Sequence, residues 1–148
     1  MNCFLPDVNA LLALLDPMHV HHEAAHRWYA SQSPLRIKLC SHVENGVIRV
    51  ASQPKYPNCL GTGARVREAL GNFARQVKAE SCDKEVSLLD DGILLKPELL
   101  TPSRVTDLYL LALAAANGIR LATFDQRIPA HAIAGGEQAL ETIVTGLP

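Results

Sequence analysis

Along the chain, short apolar runs alternate with stretches whose apolar positions repeat at helical spacing. Asn2–Pro6 reads as a strand that ends at Asp7, and the helix after it carries an apolar stripe at Leu11, Leu12, Leu14 and Leu15 until Asp16-Pro17 stops it. After the loop Met18–His21, a second helix spans roughly His22–Ser31, and Ser33-Pro34 breaks the pattern before a strand over Leu35–Cys40. Ser41–Ala51 is a third helix. Ser52–Gly63, rich in Pro and Gly, is the long loop, and Ala64–Ala79 is a fourth helix. Val86–Leu89 reads as a strand, and Thr101-Pro102 introduces a helix over Asp107–Ala116 that stops at Asn117-Gly118. Ile119–Phe124 is strand-like, and Glu141–Val144 is a last strand after the Gly135-Gly136 turn.

Strands alternating with helices predict an α/β fold, a mostly parallel sheet covered by helices on both faces. The 148 residues suit one domain with its own core, spanning 1–148. In such sheets, ligands gather beyond the carboxyl ends of the strands. Asp7 follows the first strand directly, Glu44 lies in the first turn of the helix after the second, and Asp125 follows the strand Ile119–Phe124. A helix from Asp107 to Ala116 rises ~15 Å and the strand after it spans ~18 Å, so an antiparallel return brings Asp125 near the level of Asp107. Four carboxylates at one edge repel unless cations are present, and an oxygen-only donor set suits Mg²⁺ or Mn²⁺. Each acid also has a plainer reading. Asp7 fits an N-cap, Ser41-His42-Val43-Glu44 fits a capping box, Asp107 favours its helix dipole, and Asp125 fits the start of a turn.

Composition changes this picture little. Net charge is −1, so contacts to a polyanion have to come from local patches, and Arg65, Arg67, Arg75 and Lys78 on the fourth helix are the candidates. The same residues also fit a solvated helix face with Arg65 or Arg67 paired to Glu68. Four scattered cysteines without a CxxC pair read as reduced thiols in a cytosol, with Cys3 and Cys40 inside predicted strands. No apolar run is long enough to span a membrane.

PDVNALLALL, SHVENGVIRV and VTDLYLLALAAANGIRLATFDQRI stand in the order and spacing of the three signature blocks of the PIN domain, and more narrowly resemble VapC-type toxins of bacterial toxin–antitoxin pairs. HHEAAHRWYA is similar to the second helix of one VapC subgroup. The resemblance runs from Phe4 to about Ile128 and implies a PIN-like three-layer α/β/α fold. It carries the family's acidic quartet onto Asp7, Glu44, Asp107 and Asp125, with Thr123 as the small hydroxyl residue before the last acid and Asn9 as the Asn two residues after the first. It further implies a Mg²⁺- or Mn²⁺-dependent endoribonuclease acting on RNA, restrained by a VapB-type antitoxin, cytoplasmic, and homodimeric. Two alternatives stand beside it. His22-Glu23-Ala24-Ala25-His26 matches the HExxH helix of zinc peptidases, with Glu44 as a possible third ligand, and a PIN-like module that only binds is a third class.

Overall fold

The computed structural model describes residues 2–146. Five strands form one parallel sheet: β1 (Asn2–Pro6), β2 (Leu35–Leu39), β3 (Glu80–Ser81), β4 (Arg120–Thr123) and β5 (Leu140–Thr142), in the order β3-β2-β1-β4-β5. Five α-helices connect them: α1 (Val8–Leu15), α2 (His22–Ser31), α3 (Ser41–Ala51), α4 (Gly63–Gln76) and α5 (Val105–Ala116). The chain winds outward from β1 through β2 to β3, then returns to lay β4 on the other side of β1. Right-handed crossovers running in opposite directions put α1–α4 on one face and α5 on the other. Consistent with that, α1 packs against α2, α3 and α4, while α5 packs against β4. The winding therefore reverses between β1 and β4, and a crevice at such a reversal is where α/β sheets bind ligands.

The centre of the sheet is apolar on both sides because two helical layers cover it. Phe4 and Leu5 of β1 and Leu121 and Ala122 of β4 are fully or almost fully buried, with Leu5 in register with Leu121. Leu11, Val43, Val47 and Val66 close one layer, and Leu108 and Leu111 the other. Trp28, on the inner face of α2, meets the Phe4 ring edge-on at 4.9 Å and donates its indole N–H to Glu141. One close approach fixes α3 on the start of α1. A Cβ on Gly46 would lie 2.6 Å from a Val8 methyl, so only glycine lets these helices meet there.

The third strand differs from the expected one. Val86–Leu89 forms no strand; Glu80–Ser81 pairs with Lys38 and Leu39 instead. After Cys82 N–H makes the last sheet bond, to Leu39 O, the backbone N–H groups of Asp83 and Lys84 both donate to the Asn117 side chain at 3.0 Å. Farther on, Asp90 N–H closes a turn on Ser87, and Leu89 is almost fully exposed. Cys40 likewise lies just past β2, as the N-cap of α3. α4 ends at Gln76, where Lys78 takes a left-handed φ of 55° and Ala79 N–H returns to Ala74 O at 2.8 Å, a C-terminal cap. Lys78 is therefore off the helix rather than on its last turn. The last strand begins one residue early and stops at Thr142, although Ile143 N–H still reaches Thr123 O at 2.7 Å.

Candidate metal-binding site

The ends of β1 and β4 bring two aspartates together through the backbone. Asp7 N–H donates to Ala122 O at 3.0 Å, which locks the residue after β1 against the last turns of β4. Its side chain caps α1 by accepting the Ala10 N–H at 2.8 Å, and accepts a further bond from the Thr123 hydroxyl. Thr123 is fully buried and its hydroxyl oxygen also accepts the Asp125 N–H at 3.1 Å. One hydroxyl thus couples both acids. Asp125 closes an Asx turn onto Arg127 N–H at 2.8 Å.

Asp107 enters from the first turn of α5. Arg104, in the 3₁₀ turn Pro102–Arg104 that precedes this helix, donates to Asp107 at 3.1 Å and to Asp125 at 2.9 Å. Asp7, Asp107 and Asp125 form one electrostatic group. Burial, with added repulsion from Asp107 and Asp125, raises the Asp7 carboxyl from 3.8 to about 6, against the pull of its two hydrogen bonds. Burial also raises Asp107, although Arg104 opposes it. Asp125 moves the other way, held low by the Arg127 N–H and then by Arg104. Carboxyls pushed in opposite directions occur at functional sites and equally in structural ion-pair networks such as the one Arg104 makes here. Three carboxylates supply only oxygen donors, the type a hard divalent cation takes, while in this structure Arg104 holds two of them and no described three are placed around an ion.

Glu44 sits in the first turn of α3 and is not among the groups that shift Asp7, Asp107 or Asp125. The capping box is not formed, because Cys40 rather than Ser41 is the N-cap and makes no side-chain cap bond. Glu44 instead lines a groove of about 520 Å³ between α3 and α4 together with Arg67 and Arg75. It lines a second hollow with Lys84 and Tyr109, and the His42 and Tyr109 rings, 5.7 Å apart, place the starts of α3 and α5 side by side. Of the predicted basic residues, Arg67 and Arg75 reach this groove. Arg65 stays against Gly61 at the start of α4. No ion pair joins Arg65 or Arg67 to Glu68 among the described residues.

Asn9 lies exposed on the first turn of α1, where its amide oxygen accepts from His19 Nε2 at 3.0 Å. The residue that sequence reading passes over is Arg104. Its signal was local: an arginine three residues before an acid shares its side of a helix start.

A family model of the PIN domain matches residues 4–134. The chain belongs to the PIN-domain family. Its relatives include Ribonuclease VapC44 of Mycobacterium tuberculosis strain H37Rv, 41% identical over 140 residues that cover 94% of this chain and 98% of the relative. Two solved structures share the PIN fold at low identity. VapBC2 from Rickettsia felis, bound to a DNA fragment from its promoter, is 15% identical with a TM-score of 0.60 over 95% of this chain and 98% of that one. The sarcin-ricin-loop-cleaving toxin VapC20 of M. tuberculosis is 16% identical with a TM-score of 0.56, over 89% of this chain and 97% of that one.

In this PIN domain the HExxH helix has another job. Ala13 and Leu14, in the last turn of α1, have carbonyls without intrahelical partners. His22 Nδ1 approaches the first at 2.8 Å and His26 Nε2 the second at 2.9 Å. Carbonyl oxygens only accept, so both imidazoles donate and cap the helix. Glu23 is exposed, and the described His, Cys, Asp and Glu side chains include no group of three placed to hold a metal ion as they stand. The peptidase expectation therefore lacks its third ligand.

Proposed function

We propose that this PIN domain is an endoribonuclease that hydrolyses RNA phosphodiester bonds with a divalent cation, as the toxin of a VapBC-type pair. The supporting observation is the meeting of Asp7, Asp107 and Asp125 at the winding reversal, with Asp7 raised to about 6 by burial and by its two neighbours. The ribonuclease name of the relative that aligns over nearly the whole chain supports the reaction class and lends nothing to a peptidase or a silent module. Mg²⁺ or Mn²⁺ at this site would supply Lewis-acid polarisation of the phosphodiester and a nucleophilic water, the chemistry that leaves 5′-phosphate and 3′-hydroxyl ends. Asp7 and Asp107 would hold the cation with Asp125 beside them, and Glu44 would face it from the start of α3. Thr123 keeps Asp7 and Asp125 in register with each other. Arg67 and Arg75 take backbone phosphates along the groove that Glu44 shares with them, while exposed Arg65 and Lys78 add only to the wider field.

RNA incubated with the purified protein should be cut with Mg²⁺ or Mn²⁺, stop being cut in EDTA, and stay intact when zinc is added back. His22→Ala and His26→Ala should keep the activity. Cleavage that needs zinc and is lost in those two variants would favour the peptidase-like site.

The partner, on this reading, is a VapB-type antitoxin in a reducing cytosol, which suits the four free cysteines. The Rickettsia felis neighbour is itself a VapBC complex. An acidic mouth attracts arginine and lysine, so a basic antitoxin tail should compete with RNA there. Titration calorimetry at two salt concentrations should show binding that weakens with salt and with Asp107→Ala; indifference to both would rule out this contact. A homodimer, also part of this reading, has an apolar groove available between α1, α2 and α4, lined by Leu14, Tyr29, Phe73 and Val77.

A further inference from the structure

The candidate site already contains a cation of its own. The Arg104 guanidinium spans two carboxylates that arrive from different elements, Asp107 from α5 and Asp125 from the end of β4. All three side chains are mostly shielded, at 19%, 24% and 30% exposure, so water screens these pairs less than surface ones. Arg104 closes the 3₁₀ turn that starts at Pro102 and runs directly into α5, so no long loop separates it from Asp107. The carboxylate oxygens it engages are the ones a divalent cation would need.

We propose that Arg104 is the built-in counter-cation of this site: it holds Asp107 and Asp125 together while no divalent ion is bound, and it yields them when one enters. The inference rests on the reading of the three aspartates as metal ligands. It accounts for two observations at once. The acids gather at one mouth without a metal, because a guanidinium offsets their repulsion. The described acids, histidines and cysteines include no three placed to hold an ion as they stand, and Arg104 contacts two of the three aspartates. Electrostatic competition then sets the metal affinity. Two charge-assisted hydrogen bonds must break before Asp107 and Asp125 can close on a smaller, doubly charged ion.

The test is calorimetric titration of the full chain with MnCl₂ at one pH and ionic strength, comparing wild type, Arg104→Gln, Arg104→Lys and Asp7→Asn. Arg104→Gln should bind Mn²⁺ about tenfold tighter than wild type, equivalent to ~1.4 kcal/mol. Its metal-free form should melt lower, because two carboxylates lose their partner, and its Mn²⁺-induced rise in Tm should be larger. Both contacts come from Nη1 alone, and Arg104→Lys should fall between wild type and Arg104→Gln, since it keeps the charge but puts it on a shorter, more strongly hydrated ammonium. If Arg104→Gln does not fold, Arg104→Lys carries the same comparison. Equal or weaker Mn²⁺ binding in the Arg104 variants, with wild type binding and Asp7→Asn not, overturns the counter-cation role alone. Absence of Mn²⁺ binding in wild type overturns the metal site and this role with it.

Discussion

Asp7→Asn should abolish RNA cleavage and, without metal, make the protein more stable at pH 7. Burial and the two neighbouring aspartates raise the Asp7 carboxyl from 3.8 to about 6, so at pH 7 the folded state carries a charge it disfavours. A shift of that size corresponds to at most ~3 kcal/mol. Asparagine removes the charge while keeping the cap on the Ala10 N–H, because Asn caps helices about as well as Asp. The expected gain is about 1–3 kcal/mol, roughly 3–9 °C in Tm for a chain of this size. The sign follows from where the proton binds. Above pH 6 the wild-type carboxylate is charged in both states, and the folded state bears the full cost. Between pH 6 and 4 the folded protein takes up a proton that the unfolded chain does not, so the cost fades. Below pH 4 both states are protonated, and the advantage of the variant should vanish. Metal reverses the order, since a ligand that binds only the folded state adds about 2.7 kcal/mol at a hundredfold excess over Kd. Wild type should melt higher with Mn²⁺ and Asp7→Asn should not. If Asp7 were only a cap, Asp7→Ala would lose ~0.5–2 kcal/mol, Asp7→Asn would change little, and both would keep the wild-type response to Mn²⁺.

Asp16→Ala should cost the most stability of any single change considered, ~2–4 kcal/mol, with loss of the long loop's fixed position. Asp16 is 1% exposed and accepts from Tyr56 Oη at 2.6 Å, Asn58 Nδ2 at 3.0 Å and Met18 N–H at 2.9 Å. Those bonds tie the Ser52–Gly63 loop to the end of α1. Deleting the acceptor strands a tyrosine hydroxyl and an amide in a partly buried place, and bonds to a charged acceptor are worth about 1.5–3 kcal/mol. Burial by itself would raise the Asp16 carboxyl, but the bonds from Tyr56, Asn58 and Met18 outweigh it and hold it below the usual range. A lowered folded pKa means the stabilisation is complete above ~4, the unfolded value, and is lost as pH falls through the folded one. Urea unfolding of Asp16→Ala and Tyr56→Phe at pH 7 and pH 3 checks this account. The Asp16→Ala deficit should exceed that of Tyr56→Phe at pH 7 and shrink in acid. A constant deficit would place the effect in packing instead.

The sheet and its helices are readable from local pattern because nearly every element carries its own signal. β1, α1, α3 and α5 lie within a residue or two of where alternation and caps predict them. The misplaced β3 shows what local pattern misses. Val86 and Leu88 are apolar enough for a strand, but the chain turns at Ser87–Asp90 with Leu89 exposed, and the pairing falls to Glu80–Ser81, after which Asn117, more than thirty residues away, takes the donors of Asp83 and Lys84. Asp16 is a similar case: beside Pro17 it reads as a helix stop, while its structural role depends on Tyr56 and Asn58 in a loop whose path the sequence does not encode locally. At the candidate site, a length argument places Asp107 and Asp125 at one level, and Arg104 spans the two. It does not fix how near Glu44 comes to the other three, since adjacency at a sheet edge is coarser than contact. Nor could it tell the capping histidines from zinc ligands, because HExxH spacing puts both imidazoles on one helix face in either case.

Asp7, Asp107 and Asp125 should together support RNA cleavage through a divalent cation. A 5′-labelled single-stranded RNA incubated with wild type, Asp7→Asn and Asp107→Asn in Mn²⁺, with the ends of the products mapped, tests it most directly. Wild type should yield fragments ending in 5′-phosphate and 3′-hydroxyl, with none in EDTA, and both variants should lose at least a hundredfold in rate, on the order of the barrier change from removing a direct stabiliser of the transition state. Fragments with 2′,3′-cyclic phosphate ends, or cleavage that persists in EDTA or in Asp7→Asn at the wild-type rate, would contradict it.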